Sequence, residues 1–130
     1  MNIAYWCILV AAVLPYAWHS MSRASAGPID NHDPRRGMAQ IGEGLARRAN
    51  NAQYNAFEAF APFAAAVLMA QAAGVDVTRI SQLAVAFVVL RVLHGVCYLT
   101  DMAALRSLVW AAGFACVMAL MVLAAMAMIA

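Results

Sequence analysis

Asn51, Asn55, Glu58 and Pro62 recur at intervals of four, three and four residues. On a helix of 3.6 residues per turn, that spacing stacks them along one face, with Arg48 one turn above. A second polar stripe runs through Arg91, His94, Tyr98 and Asp101. These four fall within about 80° of one another on a helical wheel. Arg106 and Ser107 follow closely. Arginines, amides, an imidazole and a phenol gathered at one end of a helix cluster suit an anionic, peptide-like ligand, because a guanidinium grips a carboxylate through two parallel hydrogen bonds. The same residues also suit a buried polar cluster that sets helix register without touching a ligand. Spacing alone leaves both open.

The elements that must position these residues are membrane helices. The chain of 130 residues is 66% hydrophobic and only 11% charged, far from the roughly 25% charged of a soluble domain. Four apolar stretches, about 3–21, 47–73, 78–100 and 105–130, each approach or exceed the ~20 residues that span ~30 Å of hydrocarbon. No alternating segments of about ten residues suggest a β-barrel. The expected fold is all-α, a single four-helix transmembrane domain over 1–130 with a polar loop at about 22–46. Gly74-Val75-Asp76-Val77 and the region around Asp101 are short connections. They make neighbours antiparallel, hence an integral membrane four-helix bundle running up-down-up-down.

Orientation follows from the arginines, since all eight basic residues are Arg. Arg23, Arg35, Arg36, Arg47, Arg48 and Arg106 lie on the side of the first and third connections, against Arg79 on the other. The positive-inside rule then puts both termini outside and the long loop in the cytoplasm. Ala24-Ser25-Ala26 resembles a signal-peptide cleavage site, but no Lys or Arg precedes the apolar run and Arg23 follows it, so a retained helix is expected. The expected location is a bacterial inner membrane with periplasmic termini. A formal charge of +2 and no basic patch interleaved with aromatics argue against nucleic acid. Cys7, Cys97 and Cys116 sit in apolar runs without C-x-x-C pairing, so no disulfide framework or metal site is expected. Asn31-His32-Asp33-Pro34-Arg35-Arg36 reads as a solvated turn.

Depth supplies one specific expectation. Arg91 lies twelve residues from Arg79, about 18 Å along the axis, and Glu58 ten residues from Arg48, about 15 Å. An unpaired guanidinium at mid-bilayer is costly. Glu58 and Arg91 are therefore expected to pair, with Asn55 as a hydrogen-bonding neighbour.

The run Arg48-x6-Asn55-x2-Glu58-x3-Pro62-Phe63, with Arg91-x2-His94-x3-Tyr98 and Arg106-Ser107, resembles the MAPEG family, the membrane-associated proteins in eicosanoid and glutathione metabolism. The resemblance covers essentially the whole chain. It implies a homotrimer of four-helix bundles binding glutathione between subunits near the cytoplasmic side. It also implies glutathione transferase or peroxidase chemistry on small lipophilic electrophiles or hydroperoxides. Arg48, Asn51, Asn55, Glu58, Arg91, His94 and Tyr98 would hold glutathione, the co-substrate. Arg106, with Ser107 beside it, would stabilise its thiolate, since a nearby guanidinium lowers a thiol pKa from its usual ~8.5. The implied partners are the chain's own copies, a lipophilic small molecule or lipid, and the bilayer.

The chain departs from that pattern in four places. Asn51 and Tyr54 occupy positions that are usually basic in glutathione-using members, Arg106 follows Tyr98 one residue sooner, and Asp101 adds an acid near the site. Arg47, Arg48, or Arg35 and Arg36 from a neighbour's first loop are the available substitutes. The alternatives are a divergent, non-catalytic member that binds another amphipathic anion or lipid, and a structural membrane trimer.

Overall fold

The computed structural model describes residues 2–129, and every described element is helical. Five helices follow in order: α1 (Ile3–Ser25), α2 (Pro34–Ala39), α3 (Leu45–Ala72), α4 (Val77–Leu99) and α5 (Ala103–Ala127). α1, α4 and α5 are long and apolar enough to cross a membrane. α3 is the longest at 28 residues, about 42 Å at 1.5 Å per residue. Its first half carries the polar stripe and falls short of that apolarity; its second half is Ala-, Val- and Leu-rich.

Buried positions on α1 are Ala4, Cys7, Ala11, Pro15, Trp18 and Ser22, an alternation of three and four that makes one narrow seam. Alanine at two of these positions lets backbones approach closely, as membrane helices require when lipid offers no hydrophobic drive. The opposite face leaves Tyr5, Trp6, Leu9, Val13 and Tyr16 exposed. α3 packs against α1, α4 and α5, and α4 against α1, α3 and α5, so α3 and α4 form the centre. There the Phe63 and Phe87 rings stack at 3.9 Å between centroids, with Ile80, Val67, Val117 and Leu120 around them.

Each helix boundary has a local cause. Asn2 caps α1 by accepting from Ala4 N at 3.2 Å, and Asp76 caps α4 by accepting from Arg79 N at 3.0 Å. Within the first loop, α2 is a helix that turn signals did not suggest. Asp33 accepts from Arg36 N at 3.2 Å, and Pro34 supplies the preset φ of a first helical turn. Gly74 closes α3 with φ +74. Val75 N donates to Ala70 O at 3.0 Å and Gly74 N to Gln71 O at 3.1 Å, the paired bonds of a Schellman motif. Ser22 Oγ donates to Ala46 O at 2.7 Å, pinning the end of α1 to the start of α3.

Candidate functional site

The central pair and α5 enclose a cleft in two chambers. The outer one, about 190 Å³, is lined by Asn55, His94, Tyr98, Arg106, Ser107 and Trp110. The inner one, about 170 Å³, is lined by Asn55, Glu58 and Pro62 from α3, Phe87 and Arg91 from α4, and Trp110, Gly113 and Phe114 from α5, among others. Asn55 and Trp110 belong to both, so the chambers meet there.

Helical spacing explains the outer chamber. His94 and Tyr98 are one turn apart on α4, and their rings meet edge to face at 5.2 Å. Arg106, in the first turn of α5, places its guanidinium carbon 4.3 Å from the Tyr98 ring centroid. This cation–π contact holds the guanidinium over the chamber without neutralising it. Ser107 Oγ donates to Ala103 O at 3.2 Å, leaving its lone pairs free to accept. His94 is 3% exposed, and its Nδ1 is buried without a hydrogen-bond partner. Buried polar atoms are ordinarily paired, so such an orphan marks a place where something polar is missing.

In the inner chamber the expected ion pair does not form within the chain. Arg91 is 5% exposed, and its Nη2 donates to Asn55 Oδ1 at 2.7 Å. No Glu58–Arg91 ion pair forms; Glu58 is exposed at the edge of the chamber. The reason is angular. Asn55 and Glu58 are three residues apart on α3, about 60° around the wheel. Asn55 points between α4 and α5, whereas Glu58 is turned outward. Arg91 Nε remains buried and unpartnered.

Two further expected residues lie elsewhere. Arg48 donates from Nε to Leu99 O at 3.2 Å, satisfying a carbonyl of the last turn of α4, and lines neither chamber. Asn51 is exposed and also lines neither. The structure therefore brings together Asn55, His94, Tyr98, Arg106 and Ser107, with Glu58 and Arg91 adjoining, and sets Arg48 and Asn51 apart. Trp110, Gly113 and Phe114 were not anticipated. A signal existed: Arg106, Trp110, Gly113 and Val117 follow at four, three and four residues, one face of α5.

A second polar hollow, about 740 Å³, lies on the other flank of α3 and is lined by His19, Arg23, Arg35, Asn50, Gln53 and Tyr54, among others. His19 Nδ1 lies 3.1 Å from Gln53 Oε1, and Arg23 Nη1 is buried without a partner.

No curated protein and no solved structure matches the chain. A family match, by contrast, spans residues 3–126, covering both stripes, the first loop and the α5 arginine. Joined to three helices fit to cross a membrane, it makes this an integral membrane protein whose fold class and polar stripes have one source: the chain belongs to the MAPEG family.

Proposed function

We propose that the protein is a glutathione-dependent transferase or peroxidase acting on small lipophilic electrophiles or hydroperoxides. In this reading it is an up-down-up-down four-helix bundle, assembled as a homotrimer in a bacterial inner membrane, with both termini periplasmic. The observation that carries the proposal is the outer chamber. It sets the Arg106 guanidinium over Tyr98, beside the orphaned Nδ1 of His94 and the Ser107 hydroxyl.

Those groups fit a peptide thiol. Arg106 supplies a cation where a thiolate would lie, Ser107, His94 and Asn55 offer polar contacts, and family membership adds the expectation of glutathione. Glutathione supplies the nucleophilic sulfur. Arg106 favours its deprotonated form, the proton leaving to water at the mouth of the cleft. With an electrophile, a carbon–sulfur bond forms and the leaving group departs with its electron pair. With a hydroperoxide, two thiols are oxidised to a disulfide while the hydroperoxide is reduced to an alcohol and water.

Size supports a site shared between subunits. Pockets that enclose a drug-sized ligand measure about 300–1,000 Å³, and the outer chamber offers about 190 Å³. One chain thus provides part of a tripeptide site. A neighbouring copy near the cytoplasmic face would provide the rest, its first loop bringing Arg35 and Arg36 in place of the cations absent at Asn51 and Tyr54.

The test is binding of glutathione to the purified full-length protein, with Arg106→Ala in parallel. Saturable binding is expected, weakened tenfold or more in the variant, as befits loss of a charge-assisted contact worth about 1.5–3 kcal/mol. No binding at millimolar glutathione would sink the proposal.

A second reading, a divergent member that holds another amphipathic anion or a lipid, draws on one observation. Arg48 is engaged with the Leu99 carbonyl and Asn51 lies outside the chambers, which leaves Arg106 as the cation of the outer chamber. Binding of a fatty-acid anion in place of glutathione, likewise lost in Arg106→Ala, would favour it. A purely structural trimer predicts no ligand in either assay.

A further inference from the structure

The polar hollow on the α1 flank of α3 shares no lining residue with either chamber. It holds about 740 Å³, within the ~300–1,000 Å³ that encloses a small ligand. No carboxylate lines it, whereas His19, Arg23, Asn50 and Gln53 do. Arg23 stands in the last turn of α1, and its buried Nη1 has no hydrogen-bond partner. A guanidinium nitrogen in that state is a donor awaiting an acceptor, best an anionic oxygen. Gln53 adds further donors. Its Oε1 lies 3.1 Å from His19 Nδ1 and can only accept, so the imidazole proton sits on Nδ1 and the amide N–H bonds of Gln53 are left for another partner.

Depth decides what carries that oxygen. α1 has 23 residues, about 34 Å at 1.5 Å per residue, slightly more than the ~30 Å of hydrocarbon. Arg23, at its end, therefore lies at headgroup level. Tyr16 is two turns earlier, about 10 Å deeper, and meets Phe57 edge to face at 5.5 Å between centroids. Both rings are exposed, and Phe57 also lines the hollow. A donor-rich, carboxylate-free recess thus continues into an apolar, ring-faced track at the depth of lipid tails. We propose that the hollow is a binding site for a phospholipid of net negative charge, its phosphodiester held by Arg23 and Gln53 and its acyl chains lying along Phe57 and Tyr16. A basic recess between helices at the headgroup end suits such lipids. The missing carboxylate sets the preference, because the ammonium of a zwitterionic headgroup finds no counter-charge there and meets Arg23 instead. The residues of the two chambers take no part.

The experiment is native mass spectrometry of the full-length protein in detergent, titrated with an equimolar mixture of phosphatidylglycerol and phosphatidylcholine that carry the same acyl chains. Phosphatidylglycerol should bind about tenfold more tightly, and Arg23→Gln should bring the ratio to within about twofold, as expected for one charge-assisted contact. Arg23→Lys keeps the charge but not the planar fork, and should still favour phosphatidylglycerol about threefold. Arg79→Gln, beside the far end of α3, should leave the ratio unchanged. Should Arg23→Gln fail to fold, Gln53→Leu takes its place, with the preference expected to fall about threefold. Equal binding of the two lipids by the natural chain overturns the proposal, as does a ratio unmoved by Arg23→Gln or by its substitute. An equal loss of preference in Arg79→Gln also overturns it, by tracing the effect to overall charge. Displacement of the lipid by an equimolar amount of the deacylated headgroup, glycerophosphoglycerol, would make the occupant a soluble phosphate and sink the lipid assignment. Displacement by millimolar glutathione would sink it too, by joining the hollow to the thiol site. Glutathione affinity measured without added lipid reports on the thiol reading alone, so either reading can fail while the other stands.

Discussion

On one flank of α4, Gly95 lies against the indole of Trp18, so closely that a Cβ would fall inside the ring. On the other flank, one residue and four residues earlier, His94 and Arg91 keep buried nitrogens with no partner. The first flank is filled to the limit, and its Trp18, Ala52 and Ala56 form a small core of their own. The second is left open between α3 and α5. One helix thus carries closure on one side and unspent hydrogen-bonding capacity on the other. In a bundle whose outer surface meets lipid, unpaired buried polar atoms are tolerated only toward an interior cleft. The contrast therefore separates residues that hold the helices together from residues available to a ligand.

The largest expected effect tests the closed flank. Gly95→Ala overpacks the Trp18 contact and should cost about 3 kcal/mol, at the upper end for an added methyl in a tight core. Gly113→Ala makes the same chemical change on the open flank, where ordinary contact awaits, and should shift stability by less than about 0.5 kcal/mol. Thermal unfolding of both variants in the same detergent measures the difference. Equal effects would dissolve the distinction between flanks.

Next comes the bond that replaced the expected ion pair. Asn55→Leu leaves the Arg91 guanidinium without its acceptor and should cost about 2 kcal/mol. Glu58→Gln, at an exposed edge, should cost under about 0.5 kcal/mol. The opposite ranking in chemical unfolding would restore the Glu58–Arg91 pair. Tyr98 follows in size. Tyr98→Phe keeps the ring beneath Arg106 and should leave anion binding within twofold. Tyr98→Leu removes it and should weaken binding by about 1 kcal/mol, the worth of a partly desolvated cation–π contact, read by glutathione titration.

These residues show how far the sequence was legible. Composition was enough for an all-α membrane protein, and the two stripes with Arg106-Ser107 were enough for the family, because 3.6-residue spacing and apolar length survive any detail of packing. Depth arithmetic put Asn55, Glu58 and Arg91 at one level. It did not choose between the amide and the carboxylate, which depends on a 60° difference in facing that only the packed helices resolve. Arg48 lies on the stripe, and its long side chain reaches a carbonyl at the end of α4, a contact that helical spacing does not specify. Trp110 lies four residues after Arg106, on the same face of α5, so its place beside the chamber was open to a helical count from that arginine. Asp33-Pro34 reads as a turn, while an acidic cap followed by proline is equally a helix start. The Gly95–Trp18 fit had no local signal, since 77 positions separate the two residues.

The smallest expected effect compares the two tight turns that set α3 and α5 against α4. Both end a helix with the same pair of bonds. After α3, Gly74 occupies the left-handed position; after α4, Asp101 does, with φ +58, while Met102 N donates to Cys97 O at 2.9 Å and Asp101 N to Tyr98 O at 3.2 Å. Asp tolerates this conformation better than most residues, yet glycine adopts it without a Cβ clash. Part of glycine's advantage is offset by its greater freedom in the unfolded chain. Asp101→Gly should therefore stabilise by about 0.5 kcal/mol, and Gly74→Asp should destabilise by a similar amount. Asp101 was expected to bring an acid toward the second stripe, but it is exposed beyond the end of α4 and lines neither chamber. Its replacement should accordingly leave anion affinity at the outer chamber unchanged. A measurable gain in affinity on removing that carboxylate would mean its field reaches Arg106, and would extend the open flank into the α4–α5 turn.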